Sequence, residues 1–218
     1  MIIAGIDEAG RGPCFGPMAL GIYAIEKKDE NFLKELGVRD SKELLPSKRE
    51  KLFPQLKSKG KHKVIILSSV QINDLMAQTN LNDIEAMQIA KLIEEVEADV
   101  YYIDSPDAVK GKFESRIRKY LPKDKQKVKI IAENKADSKY LVVGGASILA
   151  KVTRDKEIEK LCEKYGDFGS GYPSDPKTKK FLEEYVKKNK ALPPFSRIFW
   201  STCKVAMEKA GTEQQKLF

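Results

Sequence analysis

Met1-Ile-Ile-Ala-Gly-Ile-Asp7-Glu8 runs into Ala9-Gly10-Arg11-Gly12-Pro13-Cys14-Phe15-Gly16, and Pro17-Met-Ala-Leu-Gly-Ile-Tyr-Ala-Ile-Glu26 follows. Two Ile-rich apolar runs, residues 1–7 and 17–26, flank a glycine-laden turn, a pattern that predicts two strands joined by a loop and so the start of a sheet. Working outward, residues 63–67, 99–104 and 127–132 supply three more apolar runs of strand length. Between them lie helix signals: Ser47-Lys-Arg-Glu50 as a capping box for a helix to about residue 59, and Asn82-Asp-Ile-Glu85 as a cap for the next. Phe113, Ile117 and Leu121 mark the inner face of a basic helix. A long helix is expected over residues 143–165, ending at Gly166, with Gly144-Gly145 permitting close packing near its start. Asp175-Pro176 opens another with Phe181, Leu182 and Tyr185 inward, and a last helix covers residues 201–210. The expected fold class is α/β, a five-stranded sheet flanked by helices, followed by a helical C-terminal segment. Residues 1–165 would form the sheet domain and residues 166–218 the segment packed on it, with the last residues a tail.

The chain of 218 residues carries 40 Lys and Arg against 32 Asp and Glu, a formal charge of +8. Such a surface suits a polyanion, although charge alone fits nucleic acid, an acidic membrane or simple solubility equally well. Cys14, Cys162 and Cys203 lie far apart with no C-x-x-C pair, which argues against a disulfide framework and a structural zinc site. No apolar run approaches the roughly 20 residues that span a bilayer, and the first apolar stretch ends in two acids. A reducing, cytoplasmic setting is expected. The single histidine, His62, sits between Lys61 and Lys63 and reads as a surface residue, which weakens any mechanism that needs His.

Asp7 and Glu8 stand where an apolar strand enters a glycine turn, and Asp104 repeats the arrangement at the end of Val100-Tyr-Tyr-Ile103, just before Ser105-Pro106. Each acid alone reads more readily as a turn former or a helix cap. Read together, carboxylates at two strand ends without His or Cys suit a hard divalent cation such as Mg²⁺ or Mn²⁺. A basic surface around an acidic, metal-holding centre suggests a nuclease. Gly10-Arg11-Gly12 reads as a hairpin turn or as a phosphate-approaching loop. Tyr172, in Gly169-Ser-Gly-Tyr-Pro-Ser174, reads as packing or as a stacking platform. Two other classes stay open on these residues: a metal-dependent phosphoesterase for small substrates, and a non-catalytic nucleic-acid module.

With Asp7-Glu-Ala-Gly-Arg-Gly-Pro13, Asp40-Ser-Lys-Glu-Leu44, Tyr102-Ile-Asp104, Lys135-Ala-Asp137, Ala146-Ser-Ile-Leu-Ala-Lys-Val152 and Gly169-Ser-Gly-Tyr-Pro-Ser174, the sequence resembles the type 2 ribonuclease H family, ribonuclease HII, and most of all its archaeal members. The resemblance implies an RNase H-like mixed sheet carrying four acids, Asp7, Glu8, Asp104 and Asp137, around Mg²⁺ or Mn²⁺. The last is selected by the family pattern alone, since the residues themselves leave Glu133 an equal choice. The resemblance also implies hydrolysis of RNA in RNA/DNA hybrids and incision of duplex DNA 5′ of an embedded ribonucleotide, leaving a 3′-hydroxyl and a 5′-phosphate. Gly10, Arg11 and Gly12 match the loop that senses the 2′-hydroxyl, and Tyr172 the tyrosine that stacks on the neighbouring deoxyribose. Lys42 is a candidate phosphate contact and equally a solvated lysine. Asn134 stands where archaeal relatives usually have His, Arg197-Ile-Phe-Trp200 where Arg-Thr-His-Trp is familiar, and Gly144-Gly145 where a Ser-Ala pair is usual. Gln214-Gln-Lys-Leu-Phe218 is similar to a sliding-clamp binding peptide but shorter in its spacing, so a polar tail with at most a weak clamp contact is expected. A monomer is expected.

Overall fold

In a computed structural model, residues 1–38 and 44–215 are described, with side chains described as far as residue 211. Lys42 and the rest of its Asp-Ser-Lys motif lie outside the described residues, as do the side chains of the clamp-like C-terminal peptide. Five strands form one sheet: β1 (Ile2–Ala9), β2 (Met18–Glu26), β3 (Lys61–Leu67), β4 (Val100–Asp104) and β5 (Lys129–Glu133), in the order β3-β2-β1-β4-β5. β1 pairs antiparallel with β2 from Ile2↔Glu26 to Ala9↔Ala19, and parallel with β4 from Ile3↔Val100 to Ile6↔Ile103. β4 pairs parallel with β5, ending at Asp104↔Glu133. The sheet is therefore mixed, as expected, with β1 central and the ends of β1, β4 and β5 side by side.

The described helices are α1 (Glu30–Glu35), α2 (Pro46–Lys59), α3 (Ser69–Met76), α4 (Leu81–Glu95), α5 (Lys112–Arg118), α6 (Ala136–Lys139), α7 (Leu141–Tyr165), α8 (Pro176–Asn189) and α9 (Ser201–Gln215). Two caps differ from expectation. α2 begins on Pro46 at its first turn, with Leu45 as the cap and no side-chain bond, so the Ser47–Glu50 box does not form. Proline there fixes φ and has no N–H to satisfy, which sets the start earlier. α4 is capped by Asn80, whose side chain accepts from Asp83 N, two residues before the expected Asn82. The capping box that does form is Ser68 with Gln71, at the head of α3, a helix the periodicity does not predict.

The chain folds into two compact units: Met1–Ala9 with Ala19–Ile66 and Thr79–Arg154, and Gly10–Met18 with Leu67–Gln78 and the residues from Asp155 onward. In the first, α7 lies against the sheet over Ile3, Tyr23, Val142, Val143, Ala146 and Leu149. Strand glycines allow the approach: a Cβ on Gly5 would stand 2.2 Å from the Val142 backbone, and one on Gly21 2.7 Å from the Ala146 carbonyl. Of the expected Gly144-Gly145 pair, Gly145 faces the Tyr23 ring, where a Cβ would sit at 3.1 Å. The second unit has its own core of Phe15, Ile158, Phe168, Leu182, Val186, Phe195 and Cys203, in which Phe15 meets Phe168 and Phe195 edge-on.

Candidate active site

The first unit gathers acids at the ends of its central strands. In the β1–β4 register Ile6 faces Ile103, so Asp7 and Asp104 are the next pair along. One carboxylate oxygen from each of Asp7, Glu8 and Asp104 lies within 4.8 Å of the others. Asp7 is 6% exposed, and its Oδ1 accepts from the Glu8 backbone N–H at 2.8 Å. The Ser147 hydroxyl on α7 also hydrogen-bonds its carboxyl group. Burial raises the Asp7 pKa well above the ordinary 3.8; the negative charges of Glu8 and Asp104 push the same way, while the bonds from Ser147 and Glu8 N–H oppose them. Asp7 therefore binds its proton more tightly than a free carboxyl group does.

Asp104 is fixed by a different contact. Its Oδ1 accepts from the Ala136 backbone N–H at 2.8 Å, in the turn that leads to Asp137. That turn depends on Lys135, which takes a left-handed conformation at φ 58° and ψ 38°, an uncommon geometry for a residue with a side chain. Asn134 donates from Nδ2 to the carbonyls of Ser105 at 2.6 Å and Asp107 at 3.2 Å, tying the loop after β5 to the loop after β4. Asn134, where the resemblance leads one to expect His, is here a loop tie.

Asp137 is 3% exposed on the single turn of α6, and its Oδ1 accepts from Ser138 N at 2.9 Å. It does not join the 4.8 Å set of three. Glu133 lies in register with Asp104, yet its carboxylate takes a 2.7 Å bond from Lys139 Nζ, which holds its pKa below the usual range. The acid that spacing alone leaves eligible is thus engaged by a lysine. Ser147 is the residue that sequence reasoning missed: a lone hydroxyl among the apolar residues of a buried helical run is the signal that points to it.

Donor chemistry decides which group would fit. Three oxygen-only ligands, one buried and all mutually repelling, match a hard divalent cation, whose charge offsets both the repulsion and the burial of Asp7. Soft or imidazole-preferring metals find no sulfur or nitrogen in this set.

The second unit holds Gly10, Arg11, Gly12 and Tyr172. Gly10, at φ 92°, opens the loop. The Gly171 carbonyl accepts from Cys14 N at 2.9 Å and Phe15 N at 3.3 Å, joining the Tyr172 segment to the base of the Gly10–Gly12 loop. A Cβ on Gly12 would stand 3.5 Å from the Tyr172 ring. Gly171 itself has φ 79°, and any side chain there would meet Phe15 O at 3.0 Å. His62 is only half-buried, with Nδ1 3.2 Å from Gly60 O.

Comparison with known proteins agrees with this architecture. The family model for ribonuclease HII matches residues 4–203. A ribonuclease HII from Methanocaldococcus jannaschii is 48% identical over 230 aligned residues, covering all of this chain and 99% of that one. Among solved structures, the ribonuclease H2 of Pyrococcus horikoshii OT3 superposes with a TM-score of 0.88 at 42% identity, covering 97% of this chain and 99% of that one. The Archaeoglobus fulgidus protein, solved as a PCNA:RNase HII complex, gives 0.84 at 37% identity, with 92% and 96% covered. With a family match across almost the whole chain and relatives alike in sequence and in fold, this chain belongs to the ribonuclease HII family and is a ribonuclease H enzyme.

Proposed function

We propose that the protein is a divalent-metal-dependent endonuclease that hydrolyses the RNA strand of RNA/DNA hybrids. It incises duplex DNA 5′ of an embedded ribonucleotide, leaving a 3′-hydroxyl and a 5′-phosphate. The observation that carries this reading is the meeting of Asp7, Glu8 and Asp104 within 4.8 Å. Asp7, Glu8 and Asp104, with Asp137 as the fourth acid, would hold Mg²⁺ or Mn²⁺. When bound, such ions supply Lewis-acid activation of water and charge stabilisation at the scissile phosphate.

The chain's own residues do the rest. Ser147 and the Glu8 N–H orient the Asp7 carboxylate, and Ala136 N–H orients that of Asp104, so that ligand geometry is set before substrate arrives. The Gly10-Arg11-Gly12 loop is assigned to the 2′-hydroxyl, the one group that separates ribose from deoxyribose. Tyr172 is assigned to the adjacent deoxyribose and Lys42 to a substrate phosphate. The +8 charge draws in the backbone. The protein acts as a monomer in the cytoplasm, and the PCNA-bound Archaeoglobus relative supports a sliding-clamp contact. Among the described residues no helix is long and apolar enough to cross a membrane.

The test is a DNA duplex holding one ribonucleotide, incubated with and without Mg²⁺ or Mn²⁺. Metal-dependent incision on the 5′ side of the ribose, with a ligatable 3′-hydroxyl, is expected. Hydrolysis of a small phosphoester with no need for a duplex would replace the reading.

A further inference from the structure

We propose that Asn73, Arg197 and Trp200 act together as a positioning frame for the Gly10–Gly12 loop, and thereby set the selectivity for a single ribose. The proposal rests on the assignment of that loop to the 2′-hydroxyl.

Arg197 is fully buried. A guanidinium in that position is costly unless its donors are met, and an apolar side chain would fill the volume at lower cost. Two of its nitrogens donate to the loop: Nε to Gly16 O at 3.0 Å and Nη1 to Arg11 O at 3.2 Å. The guanidinium lies 4.9 Å over the Trp200 ring, and Trp200 Nε1 donates to Gly12 O at 3.1 Å. Three carbonyls of one short loop therefore end on two neighbouring side chains.

The peptide geometry turns this into an aim. In a trans peptide the N–H lies opposite the C=O, and the chain has no cis bonds among the described residues. Holding the Arg11 carbonyl on Arg197 thus points the Gly12 N–H the other way. The next peptide carries no N–H, because Pro13 follows. Gly12 N–H is the one donor that this frame directs, and it belongs to the residue beside the Tyr172 ring.

Asn73, on α3, locks the frame from behind. Its Nδ2 donates to Ser196 O and its Oδ1 accepts from Ile198 N, each at 3.0 Å. Between these two bonds, Arg197 N donates to Cys14 O at 2.8 Å. Arg197 cannot change its approach to the loop without breaking this bracket. The three residues touch no reacting atom; they act through the loop.

The experiment compares the full-length protein with Trp200→Phe, Arg197→Lys and Asn73→Ala on two duplexes in Mg²⁺: one with a single ribonucleotide, one with a continuous RNA strand. A continuous strand offers hydroxyls in every register, so a misaimed donor matters less there. Each folded variant is expected to lose about 10-fold or more in kcat/KM on the single ribonucleotide, mainly in kcat, and less than about threefold on the continuous hybrid. Equal losses on both duplexes, or an unchanged ratio, overturn the proposal. Should Arg197→Lys fail to fold, Trp200→Phe decides, since it keeps an aromatic ring and removes the donor. A wild-type protein that cuts neither duplex refutes the underlying assignment; one that cuts both, with variants of unchanged ratio, refutes only the frame.

Discussion

Asp104 and Ala136 are joined by a 2.8 Å hydrogen bond in which the carboxylate accepts and the backbone N–H donates, across 32 positions of sequence. The acid at the end of β4 is thus both a candidate metal ligand and the anchor of the turn that precedes Asp137. These two duties separate under substitution. Asp104→Asn keeps an acceptor for Ala136, whereas Asp104→Ala leaves a part-buried donor unmet at a cost of about 1–3 kcal/mol. Both variants are expected to lose cleavage by on the order of 10³-fold, and only the alanine variant to melt earlier. Paired thermal melts and duplex-cleavage rates check this.

Asp7 is expected to lower the stability of the metal-free protein at neutral pH. Its pKa is raised above the ordinary 3.8 by burial first and then by Glu8 and Asp104. The folded state therefore holds the proton more tightly than the unfolded chain. The sign follows: the contribution is fully present below pH 3.8 and is lost as pH rises through the higher folded value. In EDTA, Asp7→Asn should raise Tm at neutral pH, by roughly 2–4 °C for each kcal/mol regained in a chain of this size, and the gain should shrink towards pH 4. Adding Mg²⁺ or Mn²⁺ should reverse the order. A cation at 100 times its Kd stabilises by about 2.7 kcal/mol, and the variant forfeits part of that.

Ser147 opposes the upward push on Asp7. Removing its hydroxyl should leave Asp7 harder to ionise, so Ser147→Ala is expected to move the acid limb of the pH–rate profile to higher pH. The divalent-ion concentration for half-maximal rate should rise by roughly 10-fold or more, in line with the roughly 10–100-fold losses typical when a ligand's supporting bond is removed. An unchanged acid limb would remove Ser147 from the site.

Glycine-to-alanine changes should have opposite signs at two places. At Gly5 the new methyl would stand 2.2 Å from the Val142 backbone, overpacking worth about 1–3 kcal/mol or more. At Gly211, in α9, nothing lies within 4 Å, and alanine should stabilise by about 0.5–1 kcal/mol through helix propensity. Denaturant midpoints measure both.

The readable part of the site is the part carried by strands. Asp7, Glu8 and Asp104 are legible because an apolar run that ends in an acid shows itself without partners. Asp137 is not, because its position depends on the left-handed turn at Lys135 and on a bond to a strand far upstream; spacing favours Glu133 equally, and only the family pattern separates them. The capping errors have a similar root. Ser47 and Glu50 have the right letters, but Pro46 claims the first turn. The box at Ser68 and Gln71 heads a helix of eight residues, too short to display a convincing apolar stripe. Asn73 escapes notice, and Arg197 shows only as part of a departure from the family pattern, since their backbone partners lie more than a hundred residues away.

The second unit is stitched from segments at opposite ends of the polypeptide: the Cys14 thiol donates to the Gly171 carbonyl over a separation of 157 residues. On the ribosome, the stretch around Gly12 therefore emerges long before Tyr172 and Arg197 exist to receive it, whereas every segment of the acid-bearing unit is complete by Arg154. Synthesis in this order delivers the acid-bearing unit first and completes the other unit last. A truncated translation product ending near Arg154 would carry all four acids and Asn73, but neither Arg197 nor Trp200.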